Sequence, residues 1–449
     1  MASTDLHLTA EERAMLAGEA GPGAQKAIEI VVALGRIYGA ADLVPVASVQ
    51  VSGVSYKNLG DAGLEFLQAW AAQGAQARVP ATLNPAGMDL AAWAELGFSP
   101  EFARRQQAVV AAYEALGVLP TCTCAPYLIG HEPAFGQHIA WAESSAVSFA
   151  NSVLGARTNR EGGPSALAAA VAGRTARYGF HLDAHRQPTL LVDVRCPVRS
   201  EADLGALGYL VGRHARTGVP YFRALDPTGW SRPLGFSGPL QALSTDVSAE
   251  PDQALSPVQE TPKVYAHVAD GLRTLGAAMA AAGAVALYHV EGLTPEARSG
   301  AVTPPAVEPF IVDDLAPGYA ALNGPATEID LVSLGCPHAS LAEIETMATY
   351  LDGRRVRAAL WITTARAIRD AAAGAGLVAR IEAAGGRVVA DTCMVVAPVA
   401  DLGFRSLATN SAKMAFYTPS HSGLTVRFGA MAECLDAALT GQWRGAGSR

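Results

Sequence analysis

The chain has 449 residues, half of them hydrophobic and 16% charged, which is ample apolar material for buried cores and excludes global disorder. Lysine plus arginine total 33 against 41 acidic residues, and the net charge of −8 argues against a dedicated nucleic-acid binder. Six cysteines are too few for a disulfide scaffold in a chain of this length, but enough for a metal site or a catalytic thiol.

At roughly 150 residues per domain, the length suggests about three domains. Residues 1–12 are polar and acidic, with no basic start leading into an apolar core, so a cytoplasmic protein without a secretory signal is expected. Helices are predicted over residues 11–19 and 25–38, the second carrying Ile28, Val31, Val32, Leu34 and Ile37 at helical spacing. A strand predicted over 43–51 runs into Ser52-Gly-Val-Ser-Tyr-Lys57, after which a helix restarts over 61–73. A small-residue loop between strand and helix is a common place for ligand groups, although an ordinary turn reads the same way. Residues 100–116 are helical in pattern. In the following segment, 118–127, Cys122 and Cys124 occupy alternate positions. An extended backbone would point both toward one site, but two prolines interrupt the run.

Residues 140–164 divide into two halves. The first is small and apolar at helical spacing, which suits a buried helix. The second places Arg157, Asn159, Arg160 and Glu161 beside glycines, which suits either an anionic ligand or a plain basic helix end. A strand is predicted at 190–194 and a helix at 202–214. Residues 221–262 are rich in proline, serine and glycine and read as a long functional loop or a domain connection. Residues 275–290 are mostly alanine and glycine and fall short of the roughly 20 residues that span a bilayer. They read as a helix end, a break at Gly283 and a buried strand over 284–289.

The clearest unit runs from 326 to 399. Strands at 329–334, 358–363 and 387–390 alternate with helices at 341–351 and 365–384, which predicts a parallel sheet with right-handed crossovers. Cys336 follows the first strand and Cys393 the third, so both reach the sheet edge where open α/β folds bind ligands. Neither belongs to a CxxC pair, which leaves zinc-ribbon or ferredoxin spacing unsupported. Two thiolates from separate strand ends, with a third from Cys122 or Cys124, suit three corners of an iron–sulfur cluster. Such a cluster keeps one iron open as a Lewis acid for a substrate carboxylate and hydroxyl. Inert buried cysteines are the competing reading. The sequence has no Walker A, HExxH or GxSxG motif and no GxGxxG after a strand, which weighs against nucleotide-dependent and serine-hydrolase chemistry.

Several stretches together resemble the aconitase X family of hydro-lyases. They are Ser52-Gly-Val-Ser-Tyr-Lys57, Thr121-Cys-Thr-Cys-Ala-Pro-Tyr127, Glu143-Ser-Ser-Ala146, Asn151-Ser-Val-Leu-Gly-Ala-Arg-Thr-Asn-Arg-Glu-Gly162, Gly335-Cys-Pro-His338, Asp391-Thr-Cys393 and Asn410-Ser-Ala-Lys413. The resemblance spans nearly the whole chain. It implies an α/β protein, an aconitase-like large region of three α/β units around an iron–sulfur cluster site. Residues 1–325 would form the N-terminal α/β region of two intertwined units, 326–400 the unit carrying two cluster cysteines, and 401–449 a segment completing the region.

The resemblance further implies Cys124, Cys336 and Cys393 as cluster ligands, with His338 donating from behind them. Arg157, Arg160 or Lys413 would neutralise substrate carboxylate, and Ser52, Ser144, Ser145, Asn151, Asn159 and Ser411 are candidate substrate contacts. Family members dehydrate cis-3-hydroxy-L-proline or a phosphorylated mevalonate. The alanine- and arginine-rich composition points to a GC-rich bacterial genome and so favours the hydroxyproline activity. The family's swivelling domain, expected to carry a serine base, is not recognisable after Asn410, where only a loop at 420–423 and a terminal helix are expected. A separate small subunit is therefore the expected partner. A non-catalytic metal-sensing or scaffold subunit is the competing class.

Overall fold

In the computed structural model, which describes residues 6–227, 230 and 266–444, three parallel sheets follow one another along the chain. The first has Val49–Val51 between Ala81–Leu83 and Ala140–Trp141. An antiparallel pair, Leu43–Pro45 with Arg174–Ala176, lies beside it. The second sheet orders His289–Val290, Pro220–Arg223, Leu190–Val194 and Phe310–Val312. The third orders Arg387–Ala390, Ala359–Thr364, Leu331–Leu334, Ser406–Thr409 and Thr425–Phe428. Three α/β units in sequence agree with the expected architecture.

Strands covered on both faces are mostly apolar, and Leu331–Leu334, apolar except at Ser333, is buried throughout. Its neighbours alternate between two cores. Val332 and Leu334 face Ile344, Met347, Ile381 and Leu435 on the helices of their own unit. Leu331, with Trp361 and Leu407, joins a larger core containing Leu204, Phe222 and Leu272 of the second unit. The third sheet is thereby fastened to the second unit, and its carboxyl edge is fixed relative to the rest of the molecule.

Several boundaries differ from the sequence reading. The strand expected over 43–51 is broken at Pro45 into two strands with different partners. The helical region at 365–384 is two helices, Arg366–Gly374 and Leu377–Ala383. The segment 284–289 forms strand only at its end, His289–Val290. Beyond residue 400 the third sheet gains Ser406–Thr409 and Thr425–Phe428, each only four residues long, with the helix Ala412–Ser422 between them. Of the proline-rich stretch 221–262, residues 228–229 and 231–262 lie outside the described residues. No helix among the described residues is long and apolar enough to cross a membrane.

Helices Glu201–Ala215 and Ala266–Gly283 cross closely through glycines. A Cβ on Gly283 would lie 1.8 Å from the Gly212 carbonyl oxygen, closer than any side chain tolerates. Gly283→Ala should therefore force the helices apart and cost about 3 kcal/mol, measured as a lowered urea midpoint.

Candidate functional site

The three units meet at the carboxyl edge of the third sheet. Leu331–Leu334 ends at Gly335, whose φ is +91° and where a Cβ would lie 2.1 Å from the Thr363 carbonyl oxygen. Only glycine fits this turn, which brings Cys336 close over the neighbouring strand. Arg387–Ala390 ends in Asp391, Thr392 and Cys393, and this loop is laced to the first unit. The Ala86 amide donates to the Asp391 carbonyl at 2.7 Å, and the Cys393 amide to the Ala86 carbonyl at 3.0 Å. Arg366 adds ion pairs to Asp391 and, at 2.6 Å, to Asp89.

Cys124, from the first unit, lines one pocket with Cys336, Cys393, Glu143, His338 and Lys413. Cys122 takes no part in lining it. Its φ of +43° breaks the extended backbone, so the two-residue alternation fails and the Cys122 side chain packs in the core of the first unit. His338 joins the loops together. Its amide donates to Cys124 Sγ at 3.2 Å, and its ring contacts Thr123 Oγ1 at 3.0 Å and the Thr392 carbonyl at 2.9 Å. Burial pulls the His338 ring down to about 4, so it is neutral at pH 7.

Glu143 and Lys413 form a buried ion pair within the pocket. Oε1 of Glu143 also accepts from the Ser144 hydroxyl at 3.2 Å and the Ser145 hydroxyl at 3.1 Å, and Oε2 accepts from Asn84 Nδ2 at 2.9 Å. Burial alone would raise this carboxyl, but the charge and hydrogen bond of Lys413, with the Ser145 amide and the Arg160 charge, bring it to about 2. Burial likewise opposes the Lys413 ammonium, yet Glu143 holds its pKa well above the usual lysine value. Burial pushes all three thiols up, Cys393 to about 12, and the Lys413 charge opposes this in each case. Ser411 further tempers Cys336 through a hydrogen bond.

The remaining sequence candidates divide by location. Ser144, Ser145 and Ser411 stand at the pocket through these contacts. Arg160 is exposed, and its charge reaches Glu143. Arg157 pairs instead with Asp183. Asn151 is buried, donating to the carbonyls of Thr158 and Ala286 at 2.9 Å each. Asn159 bonds the Tyr178 carbonyl at 3.0 Å and the Phe180 amide at 2.9 Å. Ser52 is half-buried in the loop after Val49–Val51. Sequence reasoning quoted Glu143 only inside a motif, and it passed over Asn84 and Arg273. The one available signal was a glutamate followed by two serines at the start of an otherwise apolar buried helix.

A larger cavity of about 470 Å³ lies beside Tyr56, Lys57 and His421. Lys57 Nζ there donates to the carbonyls of Ala397 at 3.4 Å and His421 at 3.2 Å, and no cysteine or buried carboxylate converges on it. The cysteine pocket is the chemically equipped one.

Among the described residues, no three His, Cys, Asp or Glu side chains are placed to grip a single metal ion. An iron–sulfur cluster asks for a different arrangement, because each thiolate binds a separate iron. Three cysteines converging on one pocket, with a fixed ammonium beside them, suit that donor set. The void among them is about 20 Å³, so the surrounding side chains would have to give way for a cluster to fit.

Three α/β units in sequence match the domain order of aconitase-type hydro-lyases of the aconitase X kind. The chain is a member of the aconitase X family. Residues 5–184 match the model of the aconitase X first domain, 188–315 the second and 329–440 the third. A phosphomevalonate dehydratase large subunit of Methanothermobacter thermautotrophicus is 50% identical over 93% of this chain and 95% of its own length. A cis-3-hydroxy-L-proline dehydratase of Pseudomonas aeruginosa is 35% identical over 97% of this chain but only 70% of its own length. The crystal structure of Thermococcus kodakaraensis aconitase X, described as the holo-form, superposes with a TM-score of 0.81 at 41% identity, covering 96% of this chain and 100% of that one. The chain is an enzyme of the hydro-lyase class.

Proposed function

We propose that the chain is the large subunit of a phosphomevalonate dehydratase, working with a separate small subunit. The observation that carries this reading is the 50% identity to such a subunit over nearly the full length of both chains. The hydroxyproline reading favoured by composition is the weaker one, since that relative is less similar and extends well beyond the matched region. Alanine and arginine content reports genome base composition, not substrate, and it is a poor guide here.

Cys124, Cys336 and Cys393 would hold the iron–sulfur cluster. Bound there, it would supply a Lewis acid for the departing hydroxide. Lys413, kept protonated by Glu143, presents positive charge to a substrate carboxylate, with Arg160 nearer the surface. Glu143 is a poor base, because its pKa is near 2 and both oxygens are engaged. The neutral ring of His338 has both nitrogens in hydrogen bonds. The lack of a ready base among these groups supports a base supplied by the small subunit.

The test is anaerobic co-purification of the two subunits, followed by assay with phosphomevalonate and with cis-3-hydroxy-L-proline. Dehydration of the phosphorylated substrate alone is expected. Turnover of hydroxyproline alone would overturn the assignment.

A further inference from the structure

Arg273 lies on the helix Ala266–Gly283 of the second unit and is 2% exposed. Its Nη1 donates to the His338 carbonyl at 2.7 Å. Its Nη2 reaches Glu343 at 2.6 Å and Asp270 at 3.0 Å. Glu343 is itself part of the cap of the next helix, accepting from the Ser340 amide at 2.7 Å, and Ser340 donates to Asp270 at 3.2 Å. One guanidinium therefore grips both ends of the short segment that leads from Cys336 into the helix Leu341–Tyr350.

That grip acts on the residue that ties the three cysteine loops together. His338 touches Cys124 through its amide, Thr123 and Thr392 through its ring, and Arg273 through its carbonyl. Movement of its backbone would be felt at all three sulfurs. Burying a guanidinium is costly unless charged partners surround it, and two carboxylates provide that here. A purely structural ion pair would need only those carboxylates. The additional bond to a carbonyl two residues from Cys336 is the feature a stabilising role leaves unexplained. Arginine suits the task because its planar fork serves two directions at fixed angles, whereas lysine is a point charge on a flexible stem. Among the described residues its Nε has no partner, so the orientation favours these contacts over the fullest bonding of the side chain.

We propose that Arg273 is a positioning residue, a brace from the second unit that sets the spacing of Cys124, Cys336 and Cys393 through the backbone of His338. The proposal rests on reading those cysteines as cluster ligands.

The experiment uses the anaerobic two-subunit complex carrying Arg273→Lys or Glu343→Gln. Melting temperature, iron and sulfide content, visible absorption and dehydration rate are measured on each. Arg273→Lys should remain folded but lose iron, show a shifted visible spectrum and lose roughly 10–100-fold in rate, the usual consequence of disturbing groups behind a metal ligand. Glu343→Gln, which removes the charged anchor and keeps an acceptor, should move the same quantities less, and it is decisive if the lysine variant fails to fold. Parental iron content and spectrum in a folded variant would overturn the brace while leaving the cofactor reading intact. A parental complex without iron would overturn both.

Discussion

Cys336→Ser is expected to yield a folded large subunit that assembles with its small partner but carries little iron and sulfide. Disturbing residues behind a metal ligand costs roughly 10–100-fold in activity, so removing a ligand should cost at least about 100-fold. Cys122→Ala is the matched control. That side chain packs in the core of the first unit and does not line the pocket, so iron content and rate should stay at parental values. The comparison is read by iron quantification and by dehydration rate on anaerobic complexes. Parental turnover in Cys336→Ser would sink the cluster mechanism, and iron loss in Cys122→Ala would change the membership of the trio.

The second large effect is at Lys413. Lys413→Met should destabilise the protein by about 3–5 kcal/mol, because it strands the Glu143 carboxylate in a buried site. The Asn84 and Ser145 donors soften that cost without removing it. Adding Glu143→Gln removes the stranded charge, so the double variant should recover much of the lost stability in urea unfolding. Activity should not recover with it, since the ammonium is then missing from the pocket. Equal stability of Lys413→Met and the double variant would show that the stranded Glu143 charge is not the source of the loss.

The parts of this molecule legible in the sequence are those written in local periodicity. The strands near 331, 359 and 387 announce themselves as short apolar runs between helices, and their ends place Cys336 and Cys393 at one edge. The strands Ser406-Leu-Ala-Thr409 and Thr425-Val-Arg-Phe428 are half polar or charged, too little apolar pattern to separate from loop. The polar residues of 151–161 illustrate a different limit. Asn151 looks the same in sequence whether it faces a ligand or bonds the Ala286 carbonyl, and only the fold brings residue 286 to it. Arg273 is harder still, because it sits in an alanine-rich helix and two of its partners, His338 and Glu343, belong to another unit. Periodicity left Cys122 and Cys124 equivalent and only the family resemblance set Cys124 apart, whereas the backbone turn at Cys122 gives the physical reason.

A pocket lined by the first and third units, with Arg273 of the second behind it, also bears on the order in which the protein is made. Cys124 leaves the ribosome early, the arginine that braces the site later, and Cys393 near the end of synthesis. No chain released short of residue 393 can display the complete trio, so the pocket forms only after the third unit has followed the first. A group that needs all three sulfurs would then be accepted only by a chain already folded across its first and third units.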